Sequence, residues 1–162
     1  MAKHDQKHGE VQIAKVEGEG DLASALAIRE VVFIEEQHVP VGLERDEEDA
    51  TAHHVLAFQG GHAVGTGRLV LLPAAPKGET GPWGQIGRMA VLAASRKGGV
   101  GRRILEALEA EARRLALAGI VLHAQLHARE FYVRAGYRDS SPIFEEAGMA
   151  HVEMRKLLAG GP

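Results

Sequence analysis

The chain of 162 residues predicts an α/β fold, a mixed sheet covered by helices. Three observations lead there. Segments that alternate apolar and polar residues, as strands do, take turns with segments at helical spacing, in the order β-α-β-β-β-α-β-α-β-β. Gly60-Gly61 sits between two strand-like segments as a hairpin turn. A glycine-rich turn, Arg96-Lys97-Gly98-Gly99-Val100-Gly101, joins a strand to the clearest helix. The length suits one compact domain, expected over residues 10–158 behind a flexible N-terminal tail of residues 1–9.

Val11–Val16 alternates and reads as the first strand. Gly18-Glu19-Gly20 breaks it, and Asp21 is a suitable N-cap for the next element. Leu22, Leu26, Ile28, Val31, Val32 and Phe33 then form a broad apolar helix face reaching Ile34, and Pro40 and Gly42 close the region. Glu44–Asp49 is an acidic loop. Strands His53–Gln59 and Ala63–Leu72 flank the glycine pair, Pro73–Gly84 is a surface loop, and Gln85–Leu92 is the fourth strand. Gly99–Ala118 is a helix with Ile104, Leu105, Leu108, Ala112 and Leu115 on one face. Glu109 and Arg113 make an i,i+4 pair on its solvent side, and Gly119 caps its C-terminus. Ile120–His123 is a short buried strand, Ala128–Ala135 a short helix ended by Gly136, and Tyr137–Phe144 and His151–Leu157 the last two strands.

Composition narrows the function. A net charge of -3 gives no general attraction to nucleic acid or an anionic membrane, so an anionic ligand must meet a local basic site. The absence of cysteine excludes disulfides, thiolate chemistry and sulfur-based zinc sites, and fits a reducing compartment. The polar start lacks the apolar core of a signal peptide, and no apolar stretch is long enough to span a bilayer. A cytoplasmic location without membrane or nucleic-acid partners is expected. The acidic run lacks the glycine turn and terminal glutamate of a calcium loop, so it reads as solvated and no metal site is expected. His53 and His54 are neighbours on a strand and point to opposite faces.

The turn Arg96–Gly101 carries the chemistry. Glycines let backbone N–H groups approach phosphate oxygens, and a helix N-terminus adds partial positive charge. Arg96, Lys97, Arg102 and Arg103 surround it, an unusual density of cations in an acidic chain. Arg96-x-x-Gly99-x-Gly101 matches the (Gln/Arg)-x-x-Gly-x-(Gly/Ala) motif of the GNAT N-acetyltransferases, which it resembles also in its place between strand and helix. Ile86–Val91 is similar to that family's fourth strand, and Phe131-Tyr132-Val133-Arg134-Ala135-Gly136-Tyr137 to its FYxxxGF segment. Val32-Phe33-Ile34-Glu35-Glu36-Gln37-His38-Val39-Pro40 resembles the ElaA-like branch. So do Glu44-x-Asp46-x-x-Asp49 with His54, Leu122-His123-Ala124-Gln125, and Gly148–Met154.

The resemblance implies a GNAT-type, mostly antiparallel central sheet flanked by helices, and an acetyltransferase using acetyl-CoA as cosubstrate and an amine as acceptor. It places the pyrophosphate on Arg96, Lys97, Gly98, Gly99, Val100, Gly101 and Arg102, and the pantetheine arm beside Met89, Ala90 and Val91. A backbone N–H there would polarise the acyl carbonyl. Tyr132 aligns with the tyrosine that serves the departing sulfur as general acid, while Tyr137 packs in the core. Glu35 or Glu36, bordering the acceptor pocket, is a candidate base; Glu36, His123 and His151 are candidate acceptor contacts, and His123 or His127 could serve as base instead. The family also suggests a homodimer. Unlike its branch, the chain has no cysteine in the first helix region and no aromatic in Val41-Gly42-Leu43, so its acceptor pocket is expected to differ.

Two other readings exist. Gly18-x-Gly20-x-x-Ala23 fits the dinucleotide-binding fingerprint, but antiparallel hairpins come after it where a parallel unit is required. A non-catalytic coenzyme A-binding module on the same scaffold is the other, since fold alone does not fix function.

Overall fold

The computed structural model describes residues 9–158; the tail expected over residues 1–9 lies, apart from Gly9, outside them. Eight strands form one sheet in the order β1-β2-β3-β4-β5-β8-β6, with β7 also on β8. These are β1 (Val11–Lys15), β2 (His53–Gln59), β3 (His62–Leu71), β4 (Trp83–Val91), β5 (Gly119–Gln125), β6 (Arg138–Asp139), β7 (Phe144–Glu146) and β8 (Met149–Leu157). Neighbouring strands are antiparallel except β4 and β5. The helices are α1 (Gly18–Arg29), α2 (Val41–Glu44), α3 (Val100–Arg114) and α4 (Arg129–Arg134).

Two helices cover opposite faces. The apolar side of α3, with Ile104, Leu105, Leu108 and Ala112, packs against Val55, Leu69, Ile86, Ile120 and Leu122. On the other face Ala25, Ile28 and Val32 meet Leu56 and Ala90. Alternation along the strands explains this division, because successive side chains must point to opposite faces. His53 and His54 follow the same rule. His54 Nε2 bonds the Asp49 carbonyl at 2.9 Å, while His53 faces Glu111 at 3.3 Å.

Several expectations change in detail. Asp21 lies inside α1 and accepts the N–H of the N-cap residue Glu17 at 3.0 Å, so it caps backwards from the first turn. The regular helix ends at Arg29, and the chain continues as a π-helix over Glu30–Glu36. Such wide turns cluster at functional sites because they re-aim side chains. α3 ends at Arg114, so Gly119 is not its cap. Gly119 is needed for a close approach: a Cβ there would lie 2.4 Å from the ring of buried Trp83. Glu109 does not face solvent. It is buried, accepting from Lys156 Nζ at 2.7 Å and Tyr137 Oη at 3.1 Å.

The expected strand Tyr137–Phe144 splits into β6 and β7, both on β8. Pro142 has no N–H to give the ladder. Beside it the Ser141 hydroxyl takes the Glu153 N–H at 2.9 Å, replacing a backbone partner.

The acidic run is solvated only in part: Arg45, Asp46, Glu47 and Glu48 are exposed, whereas its two ends turn inward. Glu44 is 2% exposed and accepts from Arg29 Nε. Asp49 receives Arg29 and Arg68, each at 2.7 Å, and Asp46 receives Arg68 at 2.7 Å. Arg29 and Arg68 lie on α1 and β3, and burying two guanidiniums requires carboxylates to compensate them.

Candidate active site

The site grows from a break between β4 and β5. Their parallel ladder holds at Trp83–Gly119, Gly84–Ile120 and Gln85–Val121 and then stops, although β4 continues to Val91 and β5 to Gln125. β4 bends where it parts. Arg88 has φ 52°, and the β3–β4 register shifts there, leaving Gly67 opposite both Arg88 and Met89. A bulge of this kind bends its strand and occurs beside active sites. The Arg88 guanidinium holds the bend by donating to Glu44 O at 2.9 Å and Leu43 O at 3.2 Å.

A cavity of about 760 Å³ opens in the gap. Met89, Ala90 and Val91 line it from β4, Phe131 and Tyr132 from α4, the π-helical segment adds Val32 and Phe33, and Gln37 follows just after it. Gln37 and Gln125 exchange hydrogen bonds across it at 3.0 and 3.4 Å.

At one end lies the glycine turn. Lys97 has φ 71° and Gly99 φ 80°, so the chain turns through left-handed conformations into α3. No side chain caps this helix of 15 residues, and its first bond to the preceding turn is Arg103 N–H to Gly99 O at 3.1 Å. The N–H groups of the first turn therefore have no intrahelical acceptor. Gly98, Gly99, Arg102 and Arg103 line a second hollow just outside. These residues fit a pyrophosphate: uncapped N–H donors, flanking cations and no side chain over the glycines.

Arg96 is placed differently from the other cations. Its Nε donates to Val91 O at 2.9 Å and its Nη2 to Glu36 at 2.7 Å, so it ties the turn to β4 and to the π-helical segment. Glu36 is thereby paired. Neither Glu36 nor the exposed Glu35 lines the main cavity.

The Tyr132 hydroxyl points across the cleft to Met89 Sδ at 3.6 Å. Burial pushes it up to about 12, so it is a neutral donor at physiological pH. Tyr137 sits behind it in the core, edge-on at 5.9 Å.

At the far end β5, β7 and β8 bring together His123, Phe144, Glu146 and His151. Register explains the cluster: His151 pairs with Gln125 on one side and Phe144 on the other, while His123 pairs with Glu153. Phe144 lies between the imidazoles, edge-on to His123 at 5.2 Å and stacked on His151 at 5.9 Å. Glu146 accepts from His123 Nδ1 at 3.1 Å. That bond raises the His123 pKa above its ordinary value and lowers that of Glu146. Arg88 and Glu146 are the site residues that sequence reasoning missed. Nothing local marks a bulge at Arg88. Glu146 could have been found from parity, since it shares a strand face with Phe144 just before the Ala147-Gly148 turn.

A parted parallel strand pair with an uncapped, cation-flanked helix start at one side and a neutral phenol across the gap defines an acyl-CoA-dependent N-acyltransferase. Residues 10–158 match the family model described as an acetyltransferase (GNAT) domain, and the chain belongs to the GNAT family. It is similar to the uncharacterized N-acetyltransferase YjcF of Bacillus subtilis, 36% identical over 85% of this chain and 94% of the relative. Among solved structures it is similar to an acyl-CoA N-acyltransferase from Pseudomonas aeruginosa, with TM-score 0.76 and 27% identity over 91% of this chain and 99% of the other. Escherichia coli ElaA shares the fold, with TM-score 0.75 and 24% identity over 91% of this chain and 99% of the other. The dinucleotide-binding reading fails on topology, since β1 and β2, which flank α1, pair antiparallel. Among the described residues no helix is long and apolar enough to cross a membrane.

Proposed function

We propose that this enzyme moves an acetyl group from acetyl-CoA to a primary amine by direct attack of the amine. The observation that carries this reading is the parting of β4 from β5 after Gln85 and Val121, with Tyr132 facing the exposed edge of β4. Coenzyme A supplies an activated acyl thioester. The residues of the chain must then hold it, polarise its carbonyl, and stabilise the sulfur as it leaves.

The turn from Arg96 to Arg102 binds the pyrophosphate through backbone N–H groups, and Lys97 and Arg102 add charge. Arg96 keeps the turn in place through Val91 and Glu36. The edge of β4 along Met89–Val91 that faces away from β3, where β5 no longer pairs with it, takes the pantetheine arm, and an N–H there stabilises the negative charge that develops on the carbonyl oxygen.

Tyr132 is the general acid, and its environment sets how it acts. A phenol near 12 facing a thiol of about 8.5 would transfer its proton uphill by roughly 3 to 4 units, ~5 kcal/mol. Tyr132 therefore stabilises the sulfur chiefly by donating a hydrogen bond. Full transfer is completed as the attacking nitrogen sheds its own proton.

Isothermal titration with acetyl-CoA, with NADH as control, followed by an acetyl-transfer screen over amines, tests the reading. Acetyl-CoA binding with amide formation is expected; a folded sample that binds no acetyl-CoA refutes it.

A further inference from the structure

We infer that His123 takes the proton from the acceptor amine, with Glu146 orienting its imidazole. This rests on the amine-transfer reading above and names the residues that complete its acceptor half.

The first argument is tautomer. Glu146 is ionised and can only accept, so its 3.1 Å contact with His123 Nδ1 places the proton on Nδ1. Nε2 is left with its lone pair. Its acidic neighbour on that side, Glu153 Oε2, stands at 4.0 Å, beyond hydrogen-bond reach, and the other oxygen of that carboxylate, Oε1, accepts from Ser140 at 2.9 Å and Arg155 at 3.0 Å. A carboxylate that fixes one imidazole nitrogen and frees the other is the arrangement general-base histidines use.

The second argument is support. His151 is buried and held in place by its Nδ1, which donates to Met149 O at 2.8 Å, while its Nε2 stands 3.7 Å from Glu146 Oε2, beyond hydrogen-bond reach. Phe144 fills the space between the two imidazoles and restricts both rings. His123, Glu146 and His151 line the same cavity as Tyr132 and Met89. The carboxylates nearer the first helix do not compete, since Glu36 is engaged by Arg96 and neither it nor Glu35 lines that cavity.

The third argument is charge. The groups facing His123 are Glu146 from β7, Glu153 and His151 from β8, and Arg88 from β4 across the cavity. An ammonium entering here meets Glu146 at the mouth. It gives one proton to His123 Nε2, forming an imidazolium that Glu146 stabilises, and His123 passes that proton to water. The neutral amine then forms the N–C bond as the C–S bond breaks. The second N–H proton ends on the sulfur by way of Tyr132. The products are an amide, a free thiol and one released proton, so the step balances.

The test uses the full chain with acetyl-CoA and three probe amines: spermidine, tyramine and glucosamine. His123→Gln is expected to lower kcat by on the order of 10²-fold while acetyl-CoA affinity stays within about twofold. The acid limb of the kcat profile, which reports His123, should move to lower pH in Glu146→Gln, because the neighbouring negative charge is gone. Imidazole nitrogen NMR provides a readout independent of turnover. Neutral His123 should carry its proton on Nδ1, and its pKa should fall in Glu146→Gln. A proton on Nε2, a pKa unmoved by Glu146→Gln, or wild-type kcat in His123→Gln would overturn the proposal while leaving the transferase reading intact. Wild-type protein that binds acetyl-CoA but acetylates none of the three amines would overturn both.

Discussion

Replacing Asp49 by Asn should cost stability in a way that depends on pH, and the structure sets the size. Asp49 joins two buried arginines, Arg29 from α1 and Arg68 from β3, whose side chains are 1% and 6% exposed. Burial alone would raise the Asp49 pKa; the hydrogen bond and charge of Arg29, then those of Arg68, more than reverse this and bring it from 3.8 to about 2. Because the folded-state value lies below the unfolded one, the stabilisation is complete well above pH 4 and is lost as pH falls toward 2. The difference corresponds to about 2 kcal/mol at neutral pH. Removing one partner of a buried pair adds the cost of guanidinium charge left without compensation, which brings breakage of such pairs to about 3–5 kcal/mol. Asparagine keeps one acceptor oxygen, so the lower end, about 3 kcal/mol, is expected. Urea unfolding of both proteins at pH 7 and pH 3 measures it. The gap should narrow by about 1 kcal/mol at pH 3, where wild type has lost nearly half of the linked term. A gap below about 1 kcal/mol at pH 7, or one that does not change with pH, would refute the assignment of Asp49 as the clamp.

Three further outcomes concern the cleft and the core beneath it. Gly99→Glu should abolish measurable acetyl-CoA binding by calorimetry, because a side chain at φ 80° is strained and its carboxylate opposes the pyrophosphate; unchanged affinity in a folded variant removes the turn from the site. Tyr132→Phe should lower kcat by on the order of 10–10²-fold with little change in acetyl-CoA affinity, since the hydroxyl acts as the C–S bond breaks; an unchanged kcat with chemistry rate-limiting excludes it. Gly119→Ala should destabilise by about 1–3 kcal/mol by overpacking, because the new Cβ meets the Trp83 ring at 2.4 Å; an unchanged thermal midpoint would show that the ring has room to move.

Much of the scaffold is legible in the residues. The Gly60-Gly61 hairpin, the α3 face and the turn into it rest on local rules, and those elements form where the spacing places them. What the sequence hides is non-local. Glu109 sits at an outward-looking helix position, and only the arrival of Lys156 from β8 and Tyr137 from beyond α4 makes it buried. The acidic run looks solvated until Arg29 and Arg68 converge on it from two different elements. Gly119 resembles a cap because its real constraint, the Trp83 ring, comes from another strand. The acyl side of the cleft is built from a contiguous strand, turn and helix, so its motif survives in one dimension. The acceptor side is assembled from β5, β7 and β8, so Glu146 acquires its meaning only through register.

The two sides are mechanically joined at Arg88. This residue occupies the bulge that parts β4 from β5, in a left-handed conformation that a non-glycine residue keeps only when its surroundings impose it. Those surroundings are the carbonyls of Leu43 and Glu44, together with Asp46 at 3.3 Å. Glu44 is in turn fixed by Arg29, and Asp46 by Arg68. The buried ion network thus does more than close α1 onto the sheet: it carries the segment whose carbonyls hold the bulge open. Loosening the network at Asp49 should therefore reach the cleft, although Asp49 does not line it. The Arg96–Arg102 turn rests on a different set of contacts, Val91 and Glu36. In Asp49→Asn, kcat should accordingly fall more than acetyl-CoA affinity, because the pyrophosphate end stays built while the gap beside Met89 and Tyr132 loses its wedge. Equal losses in both would mean that the network supports the whole domain rather than the bulge.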